Sequence, residues 1–399
     1  MAEPRARHLR LTGVLAAAVT AAALSIVPTA AHGAPAADGT SAGPGEARRG
    51  YIVTLAPGTH AASVAGRDLA ERYGASIDRT YSAALNGFAV RADAAGAARL
   101  AADPAVAAVT PDTRVRTGAR QRNPPSWGLD RIDQKKLPLD KSYTAPTRAG
   151  AGVTVYVIDT GVRTSHRDFG GRARSGRDFV QNDGVAQDGN GHGTHVAATV
   201  AGTKYGVAKK AKIVAVRVLD DEGSGTLAQV LAGIDWVTRH AHKPAVANLS
   251  LGGPPNAQLD AAVRASLAKG VTYAVAAGNK NEPVSRSSPA RVKQALTVGA
   301  TDRRDARAAF SNRGAGLDLF APGVAIRSAS IRNDTATTLS SGTSMAAPHV
   351  AGAAALYLSG HPSARPADVA KALLARSVKG RVTGPGAGSP NRLLQVSGL

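Results

Sequence analysis

Val155-Tyr156-Val157-Ile158-Asp159-Thr160-Gly161 sends an unbroken apolar run straight into a carboxylate and a glycine. A run with no polar alternation suits a strand buried on both faces, the kind found in parallel sheets covered by helices. The signal recurs on either side. Residues 153–158, 213–218, 245–249 and 271–276 read as strands, while 227–240 and 258–269 read as helices. Strand and helix in alternation predict an α/β fold from residue 127 onward, a mostly parallel sheet with helices on both faces. Asp159 then closes a buried parallel strand at the sheet edge where α/β sites form.

Two other segments set a polar residue among glycines and small residues. Gly191-His192-Gly193-Thr194-His195-Val196 opens a helix with a small face, Ala197, Ala198 and Ala201. His192 and His195 share that helix face, so metal ligation must be weighed. The helical zinc signature, however, sets its histidines four apart around a glutamate, and this is absent. Ser340-Ser341-Gly342-Thr343-Ser344-Met345-Ala346-Ala347-Pro348-His349 places Ser344 at a helix start after a glycine turn, near backbone N–H donors. Taken singly, these are a turn Asp, a structural His and an N-cap Ser. Together they supply a nucleophile, a base and an orienting carboxylate in the chain order Asp, His, Ser.

Upstream, Arg5, Arg7 and Arg10 precede an apolar run from Leu11 to Val27 and then Thr29-Ala30-Ala31. This reads as a secretory signal over residues 1–31, cut after Ala31 with Ala34 the next choice, against the alternative of an uncleaved anchor. The run is short for a membrane span and no other stretch is long enough, so a secreted chain with no membrane attachment after signal removal is expected. Residues 35–50 are a flexible lead-in rich in Ala, Gly and Pro. Residues 51–112 read β-α-β-β-α-β, a small α+β ferredoxin-like domain, with helices at 61–73 and 94–102. It is too poor in paired polar groups to carry chemistry. Residues 113–126, rich in Arg, Gly and Pro without apolar period, read as an exposed, cuttable linker. The tail after Gly380 reads as irregular, too short for another domain.

Cysteine is absent, which excludes disulfides, a thiol nucleophile and thiolate metal sites. Aromatics are only 4%, so the core must be built from Ala, Val and Leu. The net charge is +21, but the basic residues are scattered, as at Arg163, Arg172, Lys209, Lys210, Lys212, Arg303 and Arg304. No stretch interleaves them with aromatics, so a solvated basic surface is expected and no nucleic acid partner.

On residues 155–161, 191–202, Asn248-Leu249-Ser250-Leu251-Gly252-Gly253, Ala276-Ala277-Gly278-Asn279 and 341–352, the chain resembles the subtilisin-family serine proteases (subtilases, peptidase S8), in particular the proteinase K-like branch. Asp, His, Ser is the order found in subtilisin. Weaker similarity runs from Trp127 to about Leu394, and residues 51–112 resemble the family's inhibitory propeptide of the I9 type. The resemblance implies a propeptide over residues 32–117, a catalytic domain over 118–399, and a maturation cut near Thr117, in the linker Thr113–Arg122, made by the enzyme itself.

It also implies site roles. Ser344 attacks the scissile carbonyl, His192 carries the proton and Asp159 orients the imidazole. Asn279 donates its side-chain amide to the developing oxyanion beside the Ser344 N–H. Gly223, Ser224 and Gly225 on one side, and Ser250, Leu251 and Gly252 on the other, are the edges between which a peptide pairs as an added strand. The wall of the P1 pocket falls to Ser250, Leu251, Gly252 and Gly253 with Ala276, Ala277 and Gly278. These segments are small and carry no carboxylate, which implies broad specificity with an apolar P1 preference. A structural Ca²⁺ is implied on the Asp318 carboxylate and the backbone carbonyls of Lys293 and Ala295, an oxygen-only set. No catalytic cofactor is implied. The partners are protein or peptide substrates and the chain's own propeptide, acting as intramolecular inhibitor and folding aid, and the enzyme is expected to be a monomer. The cysteines of some proteinase K-like enzymes are missing here, and position 198 is Ala where many relatives have Gly. A binding protein on a degenerate protease scaffold would have lost a triad or oxyanion residue, and none is lost. An esterase shares the acyl-enzyme chemistry, but the glycine edges favour protein substrates.

Overall fold

The structure, a computed structural model, describes residues 48–112 and 120–399. The expected signal over residues 1–31 and the expected cut near Thr117 lie outside the described residues. The described chain forms two compact units, one within residues 48–112 and one within 120–399.

The smaller unit runs β1 (Arg49–Leu55), α1 (Val64–Arg72), β2 (Ser76–Tyr81), β3 (Gly87–Ala92), α2 (Ala94–Ala102) and β4 (Val106–Pro111), the β-α-β-β-α-β order expected. Its antiparallel sheet has the order β2-β3-β1-β4. Alternate residues Val53 and Leu55 of β1 turn inward and meet Leu69, Phe88, Val90 and Leu100. Both helices begin on a side-chain cap: Ser63 Oγ accepts from Gly66 N–H and Asp93 Oδ1 from Gly96 N–H.

The larger unit opens with β5 (Arg120–Arg122), α3 (Trp127–Ile132), β6 (Ser142–Thr144), β7 (Thr154–Asp159), β8 (Ala173–Asp178), α4 (His192–Ala201) and β9 (Lys212–Arg217). It continues through α5 (Leu227–His240), β10 (Ala245–Leu249), α6 (Ala257–Ala268), β11 (Thr272–Ala276), β12 (Leu296–Thr301) and β13 (Leu319–Pro322). The last elements are β14 (Ile326–Ala329), β15 (Thr337–Ser340), α7 (Thr343–Gly360), α8 (Pro366–Arg376), β16 (Val378–Lys379) and β17 (Arg392–Leu393). The main sheet has the order β16-β17-β13-β12-β11-β10-β7-β9-β8 and is parallel except where β16 meets β17.

Every residue of β7 is buried, and its pleat divides the core. Val155 and Val157 pack with Val196 and Val200 of α4 and the alanines of α7; Tyr156 and Ile158 pack on the opposite face with Val230 and Ile234 of α5 and Val263 of α6. A sheet covered on both faces is the reason these strands read as continuous apolar runs. The side chains that let α7 approach the sheet are small: Ala346, Ala347, Ala351, Ala353, Ala354 and Ala355 are fully buried. Among the described residues no helix is long and apolar enough to cross a membrane.

Two segments that read as irregular are built into the fold. Arg120–Arg122, within the expected linker, pairs with Ser142–Thr144, and Gln121 Nε2 donates to Lys204 O at 3.0 Å. In the tail, β17 joins the main sheet beside Phe320, and Leu393, Leu394 and Val396 are fully buried. Strands this short leave no period to read.

Because β7, β9, β10 and β11 are parallel, their carboxyl ends share one edge. Asp159 ends β7 at that edge, and the loops leaving it contain residues 219–226, Ser250 and Asn279.

Candidate active site

Asp159 is fully buried at the end of β7, and its Oδ1 accepts from the Thr160 N–H at 2.8 Å. The same oxygen lies 2.7 Å from His192 Nδ1. Asp159 Oδ2 is buried without a protein partner. His192 is the first residue of α4, after Gly191 with φ 105°. Gly193 must be glycine, since a Cβ there would lie 2.1 Å from the Gly161 carbonyl oxygen. Burial works against a charge on His192, but the Asp159 carboxylate and its hydrogen bond, with Asp188 beyond, outweigh it and raise the imidazole above its ordinary value.

Ser344 is the second residue of α7, in the first turn whose N–H groups have no helical acceptor. Its Oγ donates to Ser250 O at 3.1 Å, and Ser250 Oγ donates back to Ser344 O at 2.8 Å. Asn279 is exposed, yet its amide is oriented: Oδ1 accepts from the Thr343 N–H at 2.8 Å and the Thr343 hydroxyl at 2.9 Å. A backbone N–H can only donate, so the oxygen is fixed toward Thr343 and the Nδ2 donors face away.

Two clefts share the wall formed by residues 250–255. One, of about 750 Å³, contains His192, Gly223, Ser224 and Gly225. The other, of about 680 Å³, contains Ser344, Asn279, Ala276 and Gly278. The edge at Gly223 is preformed by Asp220, whose Oδ1 accepts from Glu222 and Ser224 N–H while its own N–H bonds Ser224 O at 2.7 Å. Gly225 has no room for a Cβ, which would sit 2.2 Å from Val218 O.

The second cleft differs from its sequence reading. Ala277 does not line it; the side chain packs away with Val284, Leu317 and Phe320. The following loop brings in Lys280, Glu282 and Arg286, so the lining carries charges, a carboxylate included, that the small wall segments lack. That loop is held by fully buried Asn312, whose Oδ1 accepts from the Lys280 and Glu282 N–H groups while Nδ2 donates to Ala277 O. Asn312 lies 32 and 30 residues from the two N–H groups it holds, and nothing around it in sequence signals the role.

Of the expected calcium ligands, Ala295 is buried and Asp318 half-buried, just before the neighbouring strands β12 and β13. Asp318 Oδ2 accepts from the Thr297 N–H at 2.8 Å. Burial pushes its carboxyl up to about 6, against that bond and Arg392. A half-buried carboxylate with a single protein hydrogen bond is an oxygen donor of the kind that fits a hard cation. Among the described residues no group of three or more acidic, His or Cys side chains gathers to hold a metal ion.

Two histidines stay out of the chemistry. His195 Nε2 meets Ile326 O at 2.9 Å and His349 Nδ1 meets Met345 O at 2.8 Å, both side chains in the core. Burial pulls each down to about 4. The fold accommodates their neutral forms, so they contribute stability that is present above about pH 6.5 and lost as pH falls toward 4. Imidazole NMR titration of a Ser344→Ala protein is expected to show His192 titrating above its ordinary value and these two neutral until about pH 4. A normal titration of His195 or His349 contradicts this.

Residues 150–393 match the subtilase family, and residues 50–118 match the peptidase inhibitor I9 family. The extracellular serine proteinase of Thermus sp. (strain Rt41A) is 54% identical over 321 residues, covering 80% of this chain and 78% of that protein. Alkaline serine exoprotease A of Vibrio alginolyticus is 47% identical over 328 residues, 81% of this chain and 60% of that protein. The crystal structure of a cold-adapted subtilisin-like serine proteinase superposes with a TM-score of 0.66 at 50% identity, over 68% of this chain and 98% of its own. On these matches the chain belongs to the subtilase family of serine proteases and carries an I9 propeptide.

Proposed function

We propose that this protease is a secreted endopeptidase, made as a self-processing precursor, in which Asp159, His192 and Ser344 are the catalytic triad. The observation that supports it most is the 2.7 Å bond from buried Asp159 to His192, at the same sheet edge as Ser344 and an oriented Asn279 amide. Ser344 Oγ turns from Ser250 O toward His192 Nε2, a movement in keeping with the looser geometry of unliganded sites. Oγ then bonds to the scissile carbonyl carbon while its proton passes to Nε2, and Asp159 steadies the imidazolium through Nδ1–H. The C–N bond breaks as Nε2 returns the proton to the leaving amine. Water, activated by the same base, hydrolyses the acyl-enzyme and regenerates Ser344.

The negative oxygen of each tetrahedral intermediate accepts from Asn279 Nδ2 and the Ser344 N–H. Asn279→Leu is expected to lower kcat a hundred- to thousandfold, about 3–4 kcal/mol and the range known from subtilisin, with KM little changed. A loss below threefold, measured on a short peptide anilide, contradicts the oxyanion role.

The substrate strand pairs between residues 223–225 and 250–252, and its P1 side chain enters the cleft of Ser344. Ala276, Gly278, Ala290 and residues 250–253 favour an apolar P1, with Lys280, Glu282 and Arg286 tuning the response to charge. Residues 1–31 are the export signal, 32–117 the propeptide and 118–399 the mature enzyme, a monomer. One Ca²⁺ on Asp318 and the carbonyls of Lys293 and Ala295 stabilises the fold without entering the chemistry. Chelation is expected to lower Tm by several degrees, restored by Ca²⁺ but not Mg²⁺, and an unchanged Tm on calorimetry counts against the site.

A further inference from the structure

Asp188 takes no part in the chemistry above, yet it is 3% exposed and its contacts all fall on residues flanking the Asp159–His192 pair. Oδ1 accepts the Thr160 hydroxyl at 2.8 Å and the N–H groups of Asn190 at 3.0 Å and Gly191 at 2.8 Å. Oδ2 accepts the Thr194 N–H at 2.8 Å and hydroxyl at 2.6 Å. Thr160 directly follows Asp159, and its Oγ1 accepts the Gly193 N–H at 2.9 Å. Gly191 and Gly193 are the two neighbours of His192.

A helix-capping carboxylate ordinarily accepts one or two N–H groups at its own helix. Asp188 does this for α4 and also grips Thr160, the residue that follows β7. The strand that carries the carboxylate and the helix that carries the imidazole are thus tied through one buried group. Five hydrogen bonds also satisfy both oxygens of a carboxylate held away from water.

We propose that Asp188 is a positioning residue for the catalytic pair, fixing the end of β7 against the start of α4 and supplying a second negative charge near His192. This rests on the triad reading. The charged and titratable groups around His192 are Asp159 from β7, Asp188 from the loop before α4, His195 one turn along α4, and Glu222 across the cleft. Arg163 is occupied by Asp334 at 2.7 Å. Asp188 and Asp159 are the two groups whose charges raise His192, against its burial.

The test uses the full chain and a short peptide anilide. Asp188→Asn keeps the shape but removes the charge and turns one acceptor into a donor facing the Thr194 N–H. Expected are a ten- to hundredfold fall in kcat, KM within threefold, and an acid limb of kcat/KM displaced downward by about half to one pH unit. Thr160→Val keeps the charge and breaks the tie, so kcat falls while the limb stays; Thr160→Ser, with its hydroxyl, restores kcat. A stability loss with kcat and limb both unchanged reduces Asp188 to a structural cap and overturns the proposal. If Asp188→Asn does not fold, an unchanged kcat in Thr160→Val overturns it instead. Ser344→Ala separates the two readings: residual full activity there sinks the triad, whereas an inactive Ser344→Ala beside an unaffected Asp188→Asn sinks the positioning role alone.

Discussion

Replacing Ser344 with Ala is expected to reduce kcat on a short peptide by about a millionfold, with KM changed by no more than threefold. The size follows from what the hydroxyl does. It is the only group proposed to form a covalent bond to substrate, so its loss leaves just the binding clefts and the Asn279 amide, which together retain about 10³–10⁴ over water. The fold should tolerate the change. Ser344 Oγ makes one hydrogen bond, to Ser250 O at 3.1 Å, and the return bond from Ser250 Oγ to the Ser344 carbonyl survives. A loss under a hundredfold in a folded variant, read from active-site-normalised kinetics, means that another nucleophile does the work.

Asp159→Asn is expected to lower kcat about ten-thousandfold at neutral pH. Asp159 Oδ1 serves both the Thr160 N–H and His192 Nδ1. Where the amide NH₂ takes the Oδ1 position it donates to the ring and favours the tautomer with Nδ1 as acceptor. That tautomer puts the ring proton on Nε2, where the base must be free. His192 also loses the carboxylate that raises it, so it becomes a weaker base. The acid limb of kcat/KM therefore moves to lower pH even as the plateau falls, and a plateau within tenfold of the parent removes Asp159 from the triad.

The sheet was legible because burial on both faces writes itself as uninterrupted apolar runs: 245–249 and the helix 227–240 match their elements end to end. The β-α-β-β-α-β unit was legible for the complementary reason, short elements separated by turns and capped by Ser63 and Asp93. Asp159, Gly193 and Ser344 were conspicuous in the sequence because they sit where strand ends and helix starts demand particular residue types.

What did not come through depends on distant parts of the chain. The Asn312 side chain organises a loop thirty residues earlier, and Asp188 joins two elements through hydrogen bonds that no periodicity records. Ala277 belongs to a small-residue motif, but its side chain packs into the core, while Lys280 and Glu282 further along reach the cleft. The β17 strand was hidden because two residues cannot show a pattern, although Leu393-Leu394 supplied the apolar surface it buries.

The most direct test of the triad is the intact mass of the secreted protein, parent beside Ser344→Ala. Loss of about residues 32–117 from the parent alone, with the precursor kept in Ser344→Ala, is the expected result and makes Ser344 the nucleophile of its own maturation. Retention of the propeptide by both proteins, with no hydrolysis of added casein by the parent, would contradict the account.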